Sequence, residues 1–462
     1  MNRSIAVQNN EEYMSRISNI YKLFLLFLAF LPAALLRAQE PSPLRLTLKD
    51  AIQLAMKNNP DLKTARLEME RSDARVQEAW GNALPSLDFS GTYTRTLKAP
   101  IFFASFGGQP VEIEMGFAHS LNMALTGKQI LFNGAVIVGV GAAHVYSELA
   151  RDLYQSKQIE TVALVRKTYS TALVAREVVD MMHSSLLNAE NNLKNVLLMR
   201  KQGIVSEYDE LRASVQVENL RPAVLQTENN YALALDGLRN AIGVDKGENY
   251  EIADSLVFEA VDDSLLAHAE QLVMRSNPGL SAVNRQIDLN GAVVSAERFN
   301  YLPTVAAFGQ YQYQSAKSEF TFSTADLISS VQVGLSVSLN IFQGLQTRAR
   351  IEQAQVEEQK SMEQRVSLER RLKTGIHSVV GSLTQARKRI GAQERTVETA
   401  ERGYRIVTIR FLANAATQLE VNDAQLALTQ AKLNRIQAVY DYIVAAADLD
   451  QLVGRVPEYA SQ

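Results

Sequence analysis

Residues 331–344 read Val-Gln-Val-Gly-Leu-Ser-Val-Ser-Leu-Asn-Ile-Phe-Gln-Gly, and apolar and polar residues alternate through most of this stretch. Successive side chains of a strand point to opposite faces, so the pattern predicts a strand with one apolar and one polar face. The apolar positions are Val331, Val333, Leu335, Val337, Leu339 and Ile341. At Gly344 a helical period begins and continues to about Phe411. At 1.5 Å per residue, this predicts a helix roughly 100 Å long that directly follows a membrane-type strand.

The composition bounds the class of protein without identifying it. The chain has 462 residues, is 47% hydrophobic, and balances 47 Lys and Arg against 50 Asp and Glu for a net charge of -3. The hydrophobic content is ample for a core. The balanced charge gives no strongly basic surface for nucleic acid, so we expect no nucleic-acid partner. The absence of Cys excludes a disulfide framework, a thiolate metal site and a lipidated N-terminal Cys.

The N-terminus has the pattern of a targeting segment. An apolar run at residues 23–36 follows Arg16 and Lys22 and precedes Arg37-Ala38-Gln39, which indicates a signal peptide over residues 1–38. The run is shorter than the roughly 20 residues of a spanning helix, although an uncleaved membrane anchor is the alternative. No later apolar run reaches about 18 residues, so we expect any later membrane span to be built from strands.

A series of landmarks occurs twice in the chain. Asn59-Pro60 recurs as Asn277-Pro278, and Leu84-Pro85 as Leu302-Pro303, both at an offset of 218 (278 − 60 and 303 − 85). Five further landmarks recur at an offset of 211 (454 − 243): Gly203, Ser206, Ala213, Tyr231 and Gly243 are matched by Asn414, Thr417, Ala424, Tyr442 and Gly454. This repetition indicates a duplicated architecture.

Each repeat is predicted to contain a short helix, a second helix, two strands, a long helix and a returning helix. The first repeat spans residues 39–243, with strands at about 87–98 and 117–128, separated by a Gly- and Phe-rich loop, and coiled-coil helices at about 131–200 and 207–242. A linker covers residues 244–262. The second repeat spans residues 263–455, with strands at about 304–315 and 329–341 and coiled-coil helices at about 344–411 and 418–453; a tail follows at 456–462.

The long helices carry the stripes of a coiled coil. In the second long helix, apolar residues recur at alternating steps of four and three, beginning with Leu372, Ile376, Val379, Leu383, Ala386 and Ile390. This spacing is typical of helices that supercoil together. On periodicity alone, a four-helix bundle or a plain coiled-coil scaffold is the alternative.

The strands favour a membrane protein over that alternative. Strands of about ten residues have the length of a tilted membrane strand, and Tyr93, Tyr311 and Tyr313 suit an aromatic belt at the membrane surface. Single-chain barrels begin at about eight strands, so four strands predict a barrel shared between subunits. A soluble β-meander with one face on a core is the other interpretation of the strands.

In their order and twofold repetition, these motifs resemble the TolC family of outer-membrane efflux proteins over essentially all of the mature length. The motifs are Leu-Lys-Asp-Ala-Ile-Gln-Leu-Ala at 48–55, Asn59-Pro60, Leu84-Pro85, Leu-Asn-Ile-Phe-Gln-Gly at 339–344 and Asn-Ala-Ala-Thr-Gln-Leu-Glu-Val-Asn-Asp-Ala-Gln at 414–425. The resemblance implies an α+β membrane protein, a homotrimer with a shared twelve-stranded β-barrel in the outer-membrane lipid and a periplasmic α-barrel of coiled-coil helices. It also implies docking to a periplasmic adaptor and to an inner-membrane transporter of RND, ABC or MFS type.

The implied function is passive export through an outer-membrane channel, as part of a tripartite efflux or type I secretion system, with a gate at the periplasmic helix tips. The resemblance places Asp209, Glu420 and Asp423 at acidic positions of that gate, where rings of repeated carboxylates would select cations. The alternative is that these acids only complement the dipoles of solvated helix starts. The tip turns, with the adaptor-docking positions, carry Gly203, Ser206, Asn414 and Thr417.

Three tip residues depart from the family pattern. Tyr208 replaces a small hydroxyl residue, Asn414 a glycine, and Ala416 a basic residue that resembles part of the gate latch. The resemblance therefore leaves open whether a salt-bridge latch is absent or differently built.

The residues give no sign of an enzyme. The five His residues, His119, His144, His183, His268 and His377, lack the spacing of a metal site, and Gly139-Val-Gly141 lacks the third glycine and the βαβ setting of a dinucleotide loop. We therefore predict no catalytic, cofactor-binding or metal residues. The alternative to a duct is a non-conducting coiled-coil scaffold that spans the periplasm, and the exported substrate is left open.

Overall fold

The computed structural model describes residues 44–107, 109–114, 116–245 and 250–456. The predicted signal peptide and all but the first residue of the predicted tail lie outside the described residues. The described chain divides into a small unit, which comprises residues 44–46 and 250–253, and a large unit, which comprises residues 47–245 and 254–456.

The large unit is mainly helical, and an order of two helices, strands and two longer helices occurs twice, with four strands in the first repeat and two in the second. The described helices are α1 (Leu48–Asn58), α2 (Pro60–Gly81), α3 (Gly134–Lys201), α4 (Glu207–Ile242), α5 (Asp263–Ser276), α6 (Pro278–Phe299), α7 (Gln346–Leu412) and α8 (Gln418–Val453). With 68 and 67 residues, α3 and α7 are each about 100 Å long. None of the helices in the described ranges is both long enough and apolar enough to cross a membrane.

The strands are β1 (Leu44–Leu46), β2 (Ser86–Arg95), β3 (Ile101–Phe106), β4 (Gln109–Glu114), β5 (His119–Phe132), β6 (Tyr250–Ile252), β7 (Thr304–Lys317) and β8 (Ile328–Ser338). Four of them form an antiparallel sheet in the order β2-β5-β7-β8, which brings the two repeats together at the β5–β7 pair. In the small unit, β1 and β6 pair in parallel. The predicted combination of long helices with a few strands is therefore confirmed.

The segment predicted as a Gly- and Phe-rich loop contains a further hairpin, β3–β4. The predicted strand at 87–98 ends at Arg95, which pairs with His119 at the start of β5, and β5 continues past residue 128 to Phe132. The adjacent Phe102 and Phe103 break the alternation that marked the other strands, so the period of two did not identify β3.

The strand predicted at 329–341 ends at Ser338. Its partner β7 begins at Thr304, directly after Pro303, which has no N–H to extend the ladder. The predicted start of the helix at 344 also moves, to Gln346, because Gly344 and Leu345 take positive φ angles of 59° and 66°. In addition, the predicted linker 244–262 includes β6, a strand too short to show a period of its own.

The Asn-Pro landmarks form the same junction in both repeats. Asn59 caps α2 by accepting a hydrogen bond from Leu62 N at 3.0 Å, while its Nδ2 donates to the carbonyl of Ala241 near the end of α4 at 2.9 Å. Asn277 repeats this arrangement, with a 3.1 Å bond from Leu280 N and a 2.9 Å bond to the carbonyl of Leu452. The asparagine thus begins one helix and fixes the end of another.

The predicted stripe of α7 lies in the core. Leu372, Ile376, Leu383, Ala386 and Ile390 are at most 7% exposed and form one apolar cluster with residues of α5, α6 and α8. The hydroxyl of Tyr442 in α8 accepts a 2.7 Å hydrogen bond from Val261 N. The segment that joins the repeats is therefore held against α8 by a hydrogen bond.

Candidate functional site

The four-stranded sheet has one continuous apolar face. Residues that are directly opposite on neighbouring strands share a face, and the register aligns Phe89 with Leu125, Leu125 with Tyr311, and Tyr311 with Val331. The apolar face, as named from here on, comprises Leu87, Phe89, Tyr93, Leu121, Met123, Leu125, Val305, Ala307, Tyr311, Tyr313, Val331, Val333, Leu335 and Val337. It crosses all four strands.

The opposite face is mainly polar, and its large apolar side chains include Phe308 and Ile328. The register aligns Asp88 with Thr126, Thr126 with Gln310, and Gln310 with Gln332. The hydroxyl and amide side chains on this face include Ser90, Thr92, Thr94, Ser120, Asn122, Gln312, Gln314, Ser330 and Ser336. Such side chains can face water, so the sheet separates an apolar from an aqueous environment.

The apolar face is exposed in the single chain. Phe89 is 71% exposed and Val333 is 83% exposed. A soluble β-meander would instead bury its apolar face on a core, whereas the described chain leaves this face open along β2 and β8. A contiguous exposed apolar surface of this kind is a membrane or protein interaction site.

The two helical hairpins turn in the same way at their tips. In the first tip, Gly203 follows the end of α3 and takes a φ of 73°. In the second tip, Asn414 follows the end of α7 and takes a φ of 58°. In each turn a following N–H returns to the helix, from Ile204 to the carbonyl of Met199 at 3.0 Å and from Ala415 to that of Arg410 at 2.7 Å. Asparagine can replace the expected glycine at 414 because it tolerates the left-handed region.

Two of the three predicted gate acids cap their own helices. Asp209 accepts hydrogen bonds from the N–H and the hydroxyl of Ser206, at 3.1 and 2.6 Å, at the start of α4. Glu420 accepts from the N–H and the hydroxyl of Thr417, at 2.6 and 3.3 Å, at the start of α8. Both pairs are capping boxes, so each acid stabilises a tip whatever else it does.

Asp423 is exposed, and it makes no hydrogen bond or ion pair with the described residues. It lies three residues after Glu420, one turn further along α8. The structure therefore distinguishes Asp423 from the two capping acids. Of the three acids, only Asp423 neither caps a helix nor pairs with another described residue.

Sequence reasoning missed Arg200. In the last turn of α3, its guanidinium contacts the carboxylates of Glu210 and Glu207 at the start of α4, the latter at 3.2 Å. A basic residue before the turn and acids after it were the signal, because such charges suit the two helix ends. These ion pairs connect the end of α3 to the start of α4 and so stabilise the first tip; we call them the brace.

An apolar cluster joins the two tips of the chain. Val196, Met199 and Ala213 of the first hairpin pack with Phe411 and Val421 of the second. Ala416 is partly buried against this cluster. A small apolar side chain at 416 therefore contributes packing between the hairpins where a charge would need a partner.

The cap at Glu420 makes the second tip sensitive to acid. The backbone hydrogen bond from Thr417 lowers the pKa of Glu420 below its usual value, and the Thr417 hydroxyl and Arg410 act in the same direction against slight desolvation. Because this pKa is lower in the folded chain, the stabilisation is complete above pH 4.5 and is lost as the pH falls through the lowered pKa. We expect hydrogen exchange around residue 417, corrected for intrinsic rates, to increase as the pH falls through the lowered pKa of Glu420. Glu420→Gln should remove this pH dependence; an unchanged profile in that variant would contradict the assignment.

Among the residues that the structure describes, no group of three or more His, Asp or Glu side chains could hold a metal ion. His119 and His183 each pair locally, His119 with the hydroxyl of Tyr93 at 2.7 Å and His183 with Glu228 at 2.9 Å.

The comparisons agree with this architecture. A family model described as "Outer membrane efflux protein" matches residues 51–244 and 270–455. Protein CyaE of Bordetella pertussis is 25% identical over 321 residues, which are 68% of this chain but only 64% of CyaE, less than two thirds of its length. Alkaline protease secretion protein AprF of Pseudomonas aeruginosa is 21% identical, over 89% of this chain and 85% of AprF. The crystal structure of outer membrane protein VceC from Vibrio cholerae has the same fold, with a TM-score of 0.75, 16% identity, and coverage of 88% of this chain and 96% of VceC.

Proposed function

The chain belongs to the outer membrane efflux protein family, and from this premise we propose that three copies form one passive, gated duct across the outer membrane. The observation that carries the proposal is the four-stranded sheet with an exposed apolar face and a polar face. Within the described chain, β2 and β8 each have a single neighbour in this sheet, so each has an unpaired outer edge. Unpaired backbone groups are not tolerated in lipid, and pairing β2 of one copy with β8 of the next satisfies both edges.

The natural absence of Cys allows a direct test of this edge pairing. Phe89→Cys on β2 is combined in one chain with Val331→Cys, Val333→Cys or Leu335→Cys on β8, and the membrane-embedded protein is oxidised. We expect at least one combination to give a covalent species of three chains and nothing larger, because a closed ring has no free edge left. The single variant Phe89→Cys is the control and should give no three-chain species. An open ladder beyond three chains, or no cross-link in any combination, would contradict the closed trimer.

We propose that the helix tips form the narrow periplasmic end of the duct. Asp423 is the residue that we assign to the selectivity ring, because its carboxylate is exposed and is not used for capping. Asp209 and Glu420 contribute charge to the same region while they hold their helix starts. Three copies of each carboxylate would favour cations at this constriction.

The tip turns are the proposed docking positions for a periplasmic adaptor. Gly203, Ser206, Asn414 and Thr417 are exposed at the ends of both hairpins. The brace of Arg200 with Glu207 and Glu210 takes the place of a latch in the first tip. An adaptor that contacts these turns could loosen both capping boxes together.

We propose that the protein itself catalyses no reaction and that an inner-membrane transporter supplies the energy. The family is named for efflux, and its relative AprF is named for the secretion of alkaline protease. We infer that one architecture serves cargoes of different classes. The polar face of the sheet is lined by hydroxyl and amide groups, which suit the passage of many solutes. Selection of the cargo is therefore assigned to the transporter and its adaptor.

A further inference from the structure

Three basic residues form one row across three neighbouring strands of the sheet. The register pairs Arg95 of β2 with His119 of β5, and His119 with Lys317 of β7. Opposite residues have Cβ atoms about 4.5–5.5 Å apart on the same face, so these side chains are direct neighbours. The alternation along each strand places the row on the side of the apolar face, one step beyond Tyr93 and Leu121. The apolar face thus ends in a row of basic residues.

The row lies at the end of the sheet that is farther from α2, because Arg95 is the last residue of β2. β2 begins at Ser86, shortly after α2, and reaches Arg95 after ten residues, which is about 30 Å of strand. A tilted strand of this length crosses an apolar band about 25 Å tall. The row therefore lies where hydrocarbon gives way to headgroups on the outer side.

Aromatic rings pack around the middle of the row. His119 Nδ1 is 2.7 Å from the hydroxyl of Tyr93, and Phe320 stands edge-on to both rings, with centroids 5.6 Å from Tyr93 and 5.4 Å from His119. Phe322 extends the group, 5.7 Å from Phe320. Aromatic residues concentrate at the headgroup level of membranes, which agrees with this placement. The contact with Tyr93 uses Nδ1 and leaves His119 Nε2 for a second partner.

Within the described chain, Lys317 has a carboxylate partner and Arg95 has none. Lys317 contacts the carboxylate of Asp326, and the same loop carries the exposed Glu319. Arg95 is exposed, and no ion pair joins it to any described residue. An anion beside Arg95 would give its guanidinium the charged partner that the described chain does not supply.

We propose that the row of Arg95, His119 and Lys317 binds a phosphate monoester of a net anionic, bisphosphorylated lipid headgroup, that of lipid A, in the outer leaflet. Arginine offers a planar fork of donors that matches phosphate oxygens, while lysine adds a point charge at the other end of the row. The acyl chains of the same lipid would lie on Tyr93, Leu121 and the rest of the apolar face, which a free phosphate could not use. The proposal rests on the proposed function, because it requires that this face be in the membrane.

Native mass spectrometry of the full chain in detergent tests the proposal with three probes: bisphosphorylated lipid A, phosphatidylcholine and inorganic phosphate. The double variant Arg95→Gln/Lys317→Gln is compared with Lys128→Gln, a control that removes one cation from the opposite face of β5. We expect the double variant to bind lipid A at least fivefold more weakly, with binding of phosphatidylcholine unchanged. Lys128→Gln should bind both lipids as the wild type does.

Equal lipid A binding by the wild type and the double variant would overturn the proposal, as would a wild type that binds both lipids equally. Competition by inorganic phosphate at the concentration of the lipid would also overturn it, because the site would then take a free anion. Flotation with phosphatidylcholine vesicles separates this failure from that of the proposed function. Protein that floats without a preference for lipid A refutes only the lipid site, whereas protein that does not float refutes the placement of the sheet in the membrane.

Discussion

Val333→Lys is expected to remove most of the protein from the outer membrane. Val333 lies near the middle of β8 on the apolar face and is 83% exposed in the single chain. A lysine on the lipid face near the bilayer centre costs about 2–4 kcal/mol, and a trimer bears this cost once in each copy. We expect at least a tenfold drop in the outer-membrane fraction, measured by membrane separation and immunoblotting.

Gln332→Lys is the matched control, because residue 332 is the adjacent position on the polar face. Its lysine would face water, so we expect an outer-membrane fraction close to that of the wild type. Equal losses in the two variants would show that the faces of β8 do not differ in environment and would contradict the membrane assignment.

Gly454→Ala should destabilise the chain strongly at the end of α8. Gly454 has a φ of 78°, and a Cβ there would lie 2.7 Å from the carbonyl oxygen of Ser276. The left-handed conformation alone costs a non-glycine residue about 1–2 kcal/mol, and a collision with backbone adds to it. Gly243→Ala should behave alike, because its Cβ would lie 2.7 Å from the carbonyl oxygen of Asn58. The measurement is thermal unfolding followed by circular dichroism.

Gly203→Ala separates the conformational cost from the collision. Gly203 has a similar φ of 73°, but nothing lies within 4 Å of a Cβ added there. We expect it to lower the free energy of unfolding by about 1 kcal/mol, and Gly454→Ala to exceed it by about 2 kcal/mol or more. Similar melting curves for the two variants would contradict the close approach at the repeat junction.

The strands and long helices could be predicted because their signals are local. The alternation from Val331 to Val337 predicted both faces of β8, and the stripe that includes Leu372 and Ile376 predicted a buried side of α7. The repeated Asn-Pro landmarks indicated a duplication but not its physical basis. That basis is the pair of bonds from Asn59 to Ala241 and from Asn277 to Leu452, which join residues 175 or more positions apart.

The candidate site was only partly predictable. The acids were identified by resemblance, but whether Asp209 caps its helix depends on the rotamer it takes toward Ser206. The packing of Ala416 required the contact between hairpins, and the row that includes Arg95 and Lys317 required the register of strands from different repeats. Distant contacts of this kind leave no periodic trace in a single sequence.

Single-channel recording in planar bilayers tests the central claim that the chain forms a duct narrowed at its helix tips by carboxylates. The account predicts a cation-selective conductance for the wild type and a cation-to-anion permeability ratio that falls several-fold in Asp423→Asn. Glu363→Gln, which removes one exposed carboxylate far from the tips on α7, should leave that ratio unchanged. A wild type and variants that insert but never conduct would contradict the account and favour a non-conducting periplasmic scaffold; conductance with an unchanged ratio in Asp423→Asn would refute the tip as the selective constriction.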